Sequence, residues 1–127
     1  MDLQKGIFIK STSKTPEIEF SVGSIKLSGR SIPEDAVGFY QPLLKWVGQY
    51  VANPAKTTMV EFKIDYVNSG SNRFIYKIIK EFDDCFKKGN DVVVNWYYEE
   101  DDETIKGLGQ DLQTLFDVPF QLVLTTQ

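Results

Sequence analysis

Three closely spaced polar side chains, Asn68, Ser69 and Ser71, are the best candidates for chemistry in this sequence. They stand in segment 66–72 (YVNSGSN), where a loop of small residues leads from a predicted strand into a predicted helix. Unpaired N–H groups and the positive end of the helix dipole gather at a helix N-terminus. A phosphoryl group on a serine, or a bound anion, would be stabilised there. The same side chains could simply cap the helix, and the local pattern alone favours capping.

Other chemistry is restricted by the residue types that are missing. The sequence has 0 histidines and 1 cysteine, Cys85. This excludes Ser-His-Asp and Cys-His catalysis, histidine-ligated metals, thiolate zinc cages and internal disulfides. The acidic run 99–103 does not fit a calcium-binding loop and is interpreted as a solvated helix start. We therefore expect no catalytic residues, no metal and no cofactor, although an acid–base role for a lysine or tyrosine in a pocket stays open.

Composition and charge indicate the general class of the protein. The 127 residues are 42% apolar and 25% charged, which predicts one globular domain over residues 1–127. A net charge of −4 argues against nucleic-acid binding, so segment 96–98 (WYY) is interpreted as core or partner contact. The sequence shows neither a signal peptide nor an apolar run long enough to span a bilayer. With its single cysteine, this predicts a cytoplasmic protein without membrane insertion.

Hydrophobic periodicity predicts the elements that must position the serines. Strands are expected at 6–9, 17–22, 24–28, 59–67, 91–98 and 119–124, with Gly23 as a hairpin turn. One helix should begin near Ile32, with Ser31 as a possible cap, be kinked or restarted at Pro42, and end at Asn53. A second helix should run from 71 to 88, and a third should follow the acidic run.

The apolar faces predict how these elements pack. The expected buried face of the first helix consists of Val37, Tyr40, Leu44, Val47 and Val51, and that of the third of Ile105, Leu108, Leu112, Leu115 and Phe116. Alternation at 60–66 indicates that helices cover mainly one sheet face. Strand 91–98 alternates least, which favours a central position. The predicted fold class is a two-layer α/β domain, with a mixed sheet of about five to six strands and about three helices.

Four features in order along residues 14–122 resemble one protein family. They are Pro33-Glu34 opening the first helix, Trp46 with Tyr50 late in it, the strand end Tyr66-Val67-Asn68-Ser69, and Trp96-Tyr97-Tyr98 followed by Val118-Pro119-Phe120. The element order and the junction resemble SpoIIAA-like (STAS-type) anti-sigma factor antagonists. The ordered set resembles more closely the SiaC family of bacterial regulatory phosphoproteins. The resemblance implies a STAS-like fold and a non-enzymatic role in partner-switching signal transduction.

The resemblance also implies a phosphorylation site and partners. In the SiaC family the phosphorylated residue follows the Asn at the strand end, which is Ser69 here, with Ser71 as a competing candidate. This chain has Gly70 where the family pattern places a hydroxyl side chain. The implied partners are a SiaB-like Ser/Thr kinase, a SiaA-like phosphatase and a diguanylate cyclase, which the unphosphorylated form binds and stimulates in c-di-GMP (biofilm) signalling.

A partner surface is expected around Ser69. Its members are the loop and first-turn residues Asn68, Gly70, Ser71, Asn72, Arg73 and Tyr76. A phosphoryl group adds roughly −1.5 to −2 charge, which a helix N-terminus tolerates and a partner packed on the same loop does not. The alternative is a constitutive module that binds a small ligand or anion at the helix N-terminus after Ser69.

Overall fold

The computed structural model describes residues 5–125, in which six strands form one sheet and three helices connect its parallel strands. The elements are β1 (Ile7–Ile9), β2 (Glu17–Ser21), β3 (Ser24–Ser31), α1 (Ala36–Ala52), β4 (Thr57–Val67), α2 (Ser69–Lys87), β5 (Asp91–Glu99), α3 (Glu103–Leu115) and β6 (Phe120–Thr125). Within the described residues, none of the helices has the length and apolar character needed to span a membrane.

The strands lie in the sheet in the order β1-β2-β3-β4-β5-β6, which is also their order along the chain. The β1–β2 and β2–β3 pairs are antiparallel, and the three later pairs are parallel. The turn between β2 and β3 contains Gly23 with a φ of +86°, a conformation that glycine adopts readily. The predicted mixed sheet and the hairpin at Gly23 are confirmed.

The three helices lie on one face of the sheet. Each crossover joins neighbouring parallel strands and steps in the same direction across the sheet, and such crossovers are almost always right-handed. Successive helices therefore fall on the same side. The burial of β4 agrees, because Val60, Phe62 and Ile64 are buried while Lys63 between them is exposed. The two-layer architecture predicted from the alternation of this strand is confirmed.

The core between the two layers is rich in aromatic rings. The buried face of α1 consists of Tyr40, Leu43, Trp46, Val47 and Tyr50. The prediction that Val37 belongs to this face is wrong, since its side chain is 47% exposed. Aromatic rings bury more area than valine, and a buried tyrosine also needs a polar partner for its hydroxyl. The Tyr50 hydroxyl shares a hydrogen bond with Thr58 Oγ1 at 2.7 Å and accepts one from the Gly23 N–H at 3.0 Å.

The start of α1 differs from the prediction. Ser31 is not its cap; it ends β3, is fully buried and shares a hydrogen bond with the Tyr40 hydroxyl. The cap is Asp35, whose carboxylate accepts from the Gly38 N–H at 3.0 Å. The helix is continuous through Pro42, so the predicted restart does not occur.

Strand β5 is not the most central strand, contrary to the prediction from its weak alternation. It lies between β4 and the edge strand β6. On the face without helices, Asn95 is only 8% exposed because Glu61 and Gln121 flank it in the adjoining strands. The Tyr97 hydroxyl donates to Glu61 Oε2 at 2.5 Å. Neighbouring side chains, rather than a second helical layer, therefore shield this face of β5.

A buried carboxylate joins α2 to the segment between α3 and β6. Asp83 is 1% exposed, and its Oδ1 accepts from the backbone N–H groups of Asp117 at 2.8 Å and Val118 at 2.9 Å. Its Oδ2 lies 3.0 Å from Lys87 Nζ. Each carboxylate oxygen therefore has a donor, as a buried charge requires.

Helix α3 approaches β5 closely because Gly109 faces Trp96. A Cβ atom at Gly109 would lie 2.3 Å from Trp96 Cδ1 and 2.8 Å from Leu122 Cδ2. The indole Nε1 of Trp96 donates to the Ile105 carbonyl at 2.9 Å. Both contacts fix α3 over β5 and β6, next to the N-terminal half of α2.

Candidate functional site

The site begins where β4 ends and α2 starts. Asn68 caps α2, and its side-chain oxygen accepts from the Ser71 N–H at 2.9 Å. Its backbone N–H donates to the Ser31 carbonyl at 3.1 Å, which ties the junction to the end of β3. Its own carbonyl accepts from the N–H groups of Ser71 and Asn72. The junction is therefore held by backbone and side-chain bonds and leaves Ser69 as the first helical residue.

The two candidate serines have opposite environments. Helix α2 begins at Ser69, two residues before the predicted start at Ser71. This start places Ser69 on the exposed first turn, whereas Ser71 is 0% exposed beneath that turn. A kinase could reach the Ser71 hydroxyl only after this turn opened. Ser71 is consequently inaccessible as a partner contact as well, contrary to its expected place on the partner surface.

Backbone donors at the start of α2 suit a negative group. The N–H groups of Ser69 and Gly70 have no hydrogen-bond partner among the described residues. The first turn carries no acidic side chain. A Cβ atom at Gly70 would meet nothing closer than Asn68 Oδ1 at 3.7 Å, an ordinary contact. A side chain at position 70, such as the hydroxyl residue of the family pattern, would therefore fit without rearrangement.

A shallow groove of about 360 Å³ runs from Ser69 between α2 and α3. Its α2 wall includes Asn72, Arg73 and Tyr76, which the sequence predicted as partner contacts. Arg73 is exposed, Tyr76 is 39% exposed and Asn72 is half-buried. These three side chains and Ser69 thus share one continuous surface.

The α3 wall of the groove was missed by the sequence analysis. It consists of Leu108, Asp111, Leu112 and Leu115. Leu115 was assigned to the core, but it is 59% exposed. The spacings of three, four and three residues from Ile105 to Leu115 are those of one regular apolar stripe, so the sequence carries no signal that Leu115 faces the groove. The Tyr76 ring contacts Phe116 with centroids 5.2 Å apart, so aromatic contact extends the groove past the end of α3.

Two further exposed side chains lie near the junction. Tyr66, assigned by its alternation to the apolar face of β4, is 53% exposed. Arg30 pairs with it across β3 and β4, and the guanidinium carbon lies 5.9 Å from the Tyr66 ring centroid. Arg30 and Arg73 are the two arginines of the sequence. Arg30 lies near the end of β3 and Arg73 lies near the start of α2, at the same end of the domain as Ser69. They place two positive charges near Ser69 in a protein whose net charge is −4.

The remaining titratable candidates are structural. Burial raises the pKa of the Cys85 thiol, which opposes nucleophilic reactivity. Burial also raises the pKa of the Tyr40 phenol, although its hydrogen bond with Ser31 partly offsets this. In the acidic run, Asp102 caps α3 by accepting from the Ile105 N–H at 3.0 Å, as the helix-start interpretation predicts. Over residues 5–125, no group of three or more His, Cys, Asp or Glu side chains is placed to hold a metal ion.

Comparison with known proteins gives consistent matches along the chain. A family model described as SiaC family regulatory phosphoprotein matches residues 9–125. An uncharacterized protein of Pseudomonas aeruginosa (strain UCBPP-PA14) is 21% identical over 118 residues, which cover 91% of this chain and 94% of that protein.

Solved structures share the fold. One chain in the crystal structure of the diguanylate cyclase SiaD with its activator SiaC, from Pseudomonas aeruginosa, superposes with a TM-score of 0.88 at 21% identity, covering 94% of this chain and 99% of that one. SiaC of Pseudomonas aeruginosa gives a TM-score of 0.87 at 20% identity, covering 94% and 98%. The apo form of that protein gives 0.85 at 21% identity, covering 93% and 98%.

Proposed function

This chain belongs to the SiaC family of regulatory phosphoproteins, and on that premise we propose that it is a non-enzymatic switch controlled by reversible phosphorylation of Ser69. A Ser/Thr kinase adds the phosphoryl group and a phosphatase removes it. The unphosphorylated form binds and regulates a diguanylate cyclase. The observation that carries this proposal is the contrast between Ser69, exposed on the first turn of α2, and Ser71, which is 0% exposed.

The surroundings of Ser69 support a modified serine at this position. The unpartnered N–H groups of Ser69 and Gly70, together with the helix dipole, stabilise a dianion at the helix start. The domain itself therefore tolerates the modification. A partner seated in the groove between α2 and α3 would have to desolvate that dianion. Each 1.4 kcal/mol of this penalty weakens binding about tenfold.

The proposed cyclase partner is supported by a relative. SiaC of Pseudomonas aeruginosa is an activator of the diguanylate cyclase SiaD and has been crystallised with it. The groove beside Ser69 offers a partner an apolar α3 wall, with Leu108 and Leu115, opposite the polar and aromatic α2 wall. A partner that packs there lies next to Ser69, so phosphorylation controls access to the groove.

Mass spectrometry of the protein purified from its native host tests the phosphorylation site. We expect one phosphoryl group, mapped by peptide fragmentation to Ser69. Ser69→Ala should abolish the modification, whereas Ser71→Ala, the matched control two residues away, should keep it. Ser69→Thr should restore it, because a threonine presents the same hydroxyl. An unchanged level of phosphorylation in Ser69→Ala would refute the assignment.

A reconstituted cyclase assay tests the switch without knowledge of the kinase. Phosphoserine is incorporated at position 69 during translation, and a purified diguanylate cyclase from the same genome is assayed for c-di-GMP formation. The unmodified chain should bind the cyclase and change its rate, and the phosphoserine form should bind at least about tenfold more weakly. Equal binding of the two forms would refute the switch, even if Ser69 is phosphorylated in the host.

The alternative function, a constitutive anion-binding module, uses the same two N–H groups. It predicts that inorganic phosphate or phosphorylated metabolites raise the melting temperature of the unmodified chain by binding only the folded state. Phosphoserine at position 69 should abolish that shift, because its own phosphoryl group would occupy the donors. The absence of a shift across a panel of such anions would dismiss this alternative.

A further inference from the structure

The outer edge of the sheet at β6 has unpaired backbone groups. In a parallel pair, alternate residues of a strand direct both N–H and C=O groups toward the neighbouring strand. The Val94 N–H donates to the Pro119 carbonyl at 2.8 Å, which fixes the phase of β6. Odd-numbered residues of β6 therefore bond to β5, and Leu122 and Leu124 direct their N–H and C=O groups away from the sheet.

A side-chain contact supports this phase. The Phe120 carbonyl, which also points away from β5, accepts instead from Gln113 Nε2 of α3 at 2.7 Å. That contact satisfies the outward carbonyl of Phe120. Among the described residues, the outward groups of Leu122 and Leu124 have no such partner.

The β6 edge lacks the features that protect edges from pairing. Natural edge strands are kept apart by short length, charged side chains, proline or bulges. The opposite edge, β1, has three residues and is followed directly by Lys10. Strand β6 has six residues, no charged side chain and no bulge in its pairing with β5. Its exposed side chain Leu124 is apolar and 47% accessible.

From these observations we infer that the β6 edge pairs with the β6 edge of a second copy of this chain, antiparallel about a two-fold axis at Val123. In this register Leu122 of each copy faces Leu124 of the other, and both residues exchange their outward N–H and C=O groups. The contact between Gln113 and Phe120 is kept. An uncharged strand brings no like charges together on pairing, and the exposed Leu124 side chain packs against Leu122 of the other copy.

A second copy is the occupant that this edge fits best, because a two-fold axis satisfies the outward N–H and C=O groups of both Leu122 and Leu124 in each copy at once. The two Val123 residues then form a non-hydrogen-bonded pair, in which Cα atoms lie about 4.5 Å apart. The two sheets become one continuous twelve-stranded sheet, counted from the six strands of each described chain. The site at Ser69 is not needed for this pairing, so the inference is independent of the proposed function.

Sedimentation analysis of the purified chain over a range of concentrations is the first test. The average mass should rise from the 14.5 kDa of one chain toward twice that value. Leu124→Lys should weaken self-association at least about tenfold. Phe8→Lys, which makes the same kind of change at the exposed β1 edge, should leave it unchanged. A chain that stays monomeric up to near-millimolar concentration overturns the inference, as does a dimer that Phe8→Lys disrupts.

Two further measurements check the register. In the dilute chain the amides of Leu122 and Leu124 should exchange hydrogen rapidly and those of Gln121 and Val123 slowly; at high concentration the first pair should become protected. On mild oxidation Val123→Cys should form a disulfide-linked dimer, because its Cα separation falls within the range for a disulfide. Gln121→Cys should not, since its copies lie far apart in this register. Amide protection that does not change with concentration would exclude pairing at β6, whatever the stability of the variants.

Discussion

Asp83→Ala should lower the free energy of unfolding by about 3–5 kcal/mol, because it removes a buried carboxylate that accepts two backbone hydrogen bonds. Asp83 accepts backbone hydrogen bonds from Asp117 at 2.8 Å and Val118 at 2.9 Å. Hydrogen bonds to an ionised group contribute roughly 1.5–3 kcal/mol each. Alanine leaves the buried Val118 N–H without an acceptor and frees the segment that leads from α3 into β6.

The neighbouring residue provides a matched control. Asp84 pairs with Lys80 at 2.9 Å, but both side chains are about half-exposed. Solvent screens an exposed pair of this kind, so it contributes little to stability and Asp84→Ala should have almost no effect. Both variants remove one negative charge from adjacent positions of α2. Urea unfolding at neutral pH, followed by circular dichroism, measures the difference between them.

The effect of Asp83 should depend on pH in one direction. Burial opposes its charged form, but the Val118 N–H, Lys87 and the Asp117 N–H together outweigh burial and hold its pKa below the ordinary 3.8. A lowered pKa contributes stability that is fully present above the unfolded value and is lost as pH falls through the folded value. The gap between the wild-type chain and Asp83→Ala should therefore narrow below about pH 3.8. A difference in unfolding free energy between the wild-type chain and Asp83→Ala that stays constant with pH would refute this account. A loss of stability within about 1 kcal/mol of the loss for Asp84→Ala would refute it as well.

Three other predictions concern the packing of α3, the cap of α2 and the pKa of Tyr97. Gly109→Ala should destabilise the fold by about 1–3 kcal/mol, because the new Cβ would lie 2.3 Å from Trp96 Cδ1. Gly107→Ala is the control: Gly107 has open space around it, so this variant should be neutral or stabilising. Thermal melting compares the two variants. Asn68→Ala should cost about 1 kcal/mol in urea unfolding through loss of the α2 cap, and an unchanged midpoint would contradict the cap geometry. The pKa of Tyr97 should be about 12, because the Glu61 carboxylate accepts the hydrogen bond of its hydroxyl and raises that pKa. The contribution of this hydrogen bond to stability should be complete below pH 10 and should decline as pH rises toward 12. Carbon NMR of the tyrosine ring across that range measures the pKa, and an ordinary value of 10 would contradict the prediction.

The sheet could be predicted from the sequence because its signals are local. Alternation along β4 and the glycine between β2 and β3 identified the strands and the hairpin without knowledge of the partners. The face of α1 could not be predicted in the same way, because apolar character does not distinguish Val37 from Leu43. The packing of large rings and the polar partners of Tyr40 and Tyr50 decided it. Those partners, Ser31 and Thr58, lie in the strands on either side of α1, and only the packed fold shows which hydroxyls meet.

The candidate site, like the fold, could be predicted only in part from the sequence. Its location at the end of β4 followed from the small polar residues, whereas the helix start was placed two residues late. That error matters because the start determines which hydroxyl faces solvent: with Asn68 as the cap, Ser69 is exposed and Ser71 points into the core. The α3 wall of the groove depends on how two helices pack side by side. A single stripe of leucines does not reveal that Leu115 remains exposed.

The coincidence of strand order and chain order has a consequence for how the chain folds. Each strand pairs with the strand that precedes it, so no contact between strands has to wait for a segment made much later. The longest loop that must close is one strand-helix-strand crossover, and closure entropy grows only slowly with such lengths. The sheet can therefore grow strand by strand during synthesis, and β6, the last to be made, is added to a sheet that already has its other five strands.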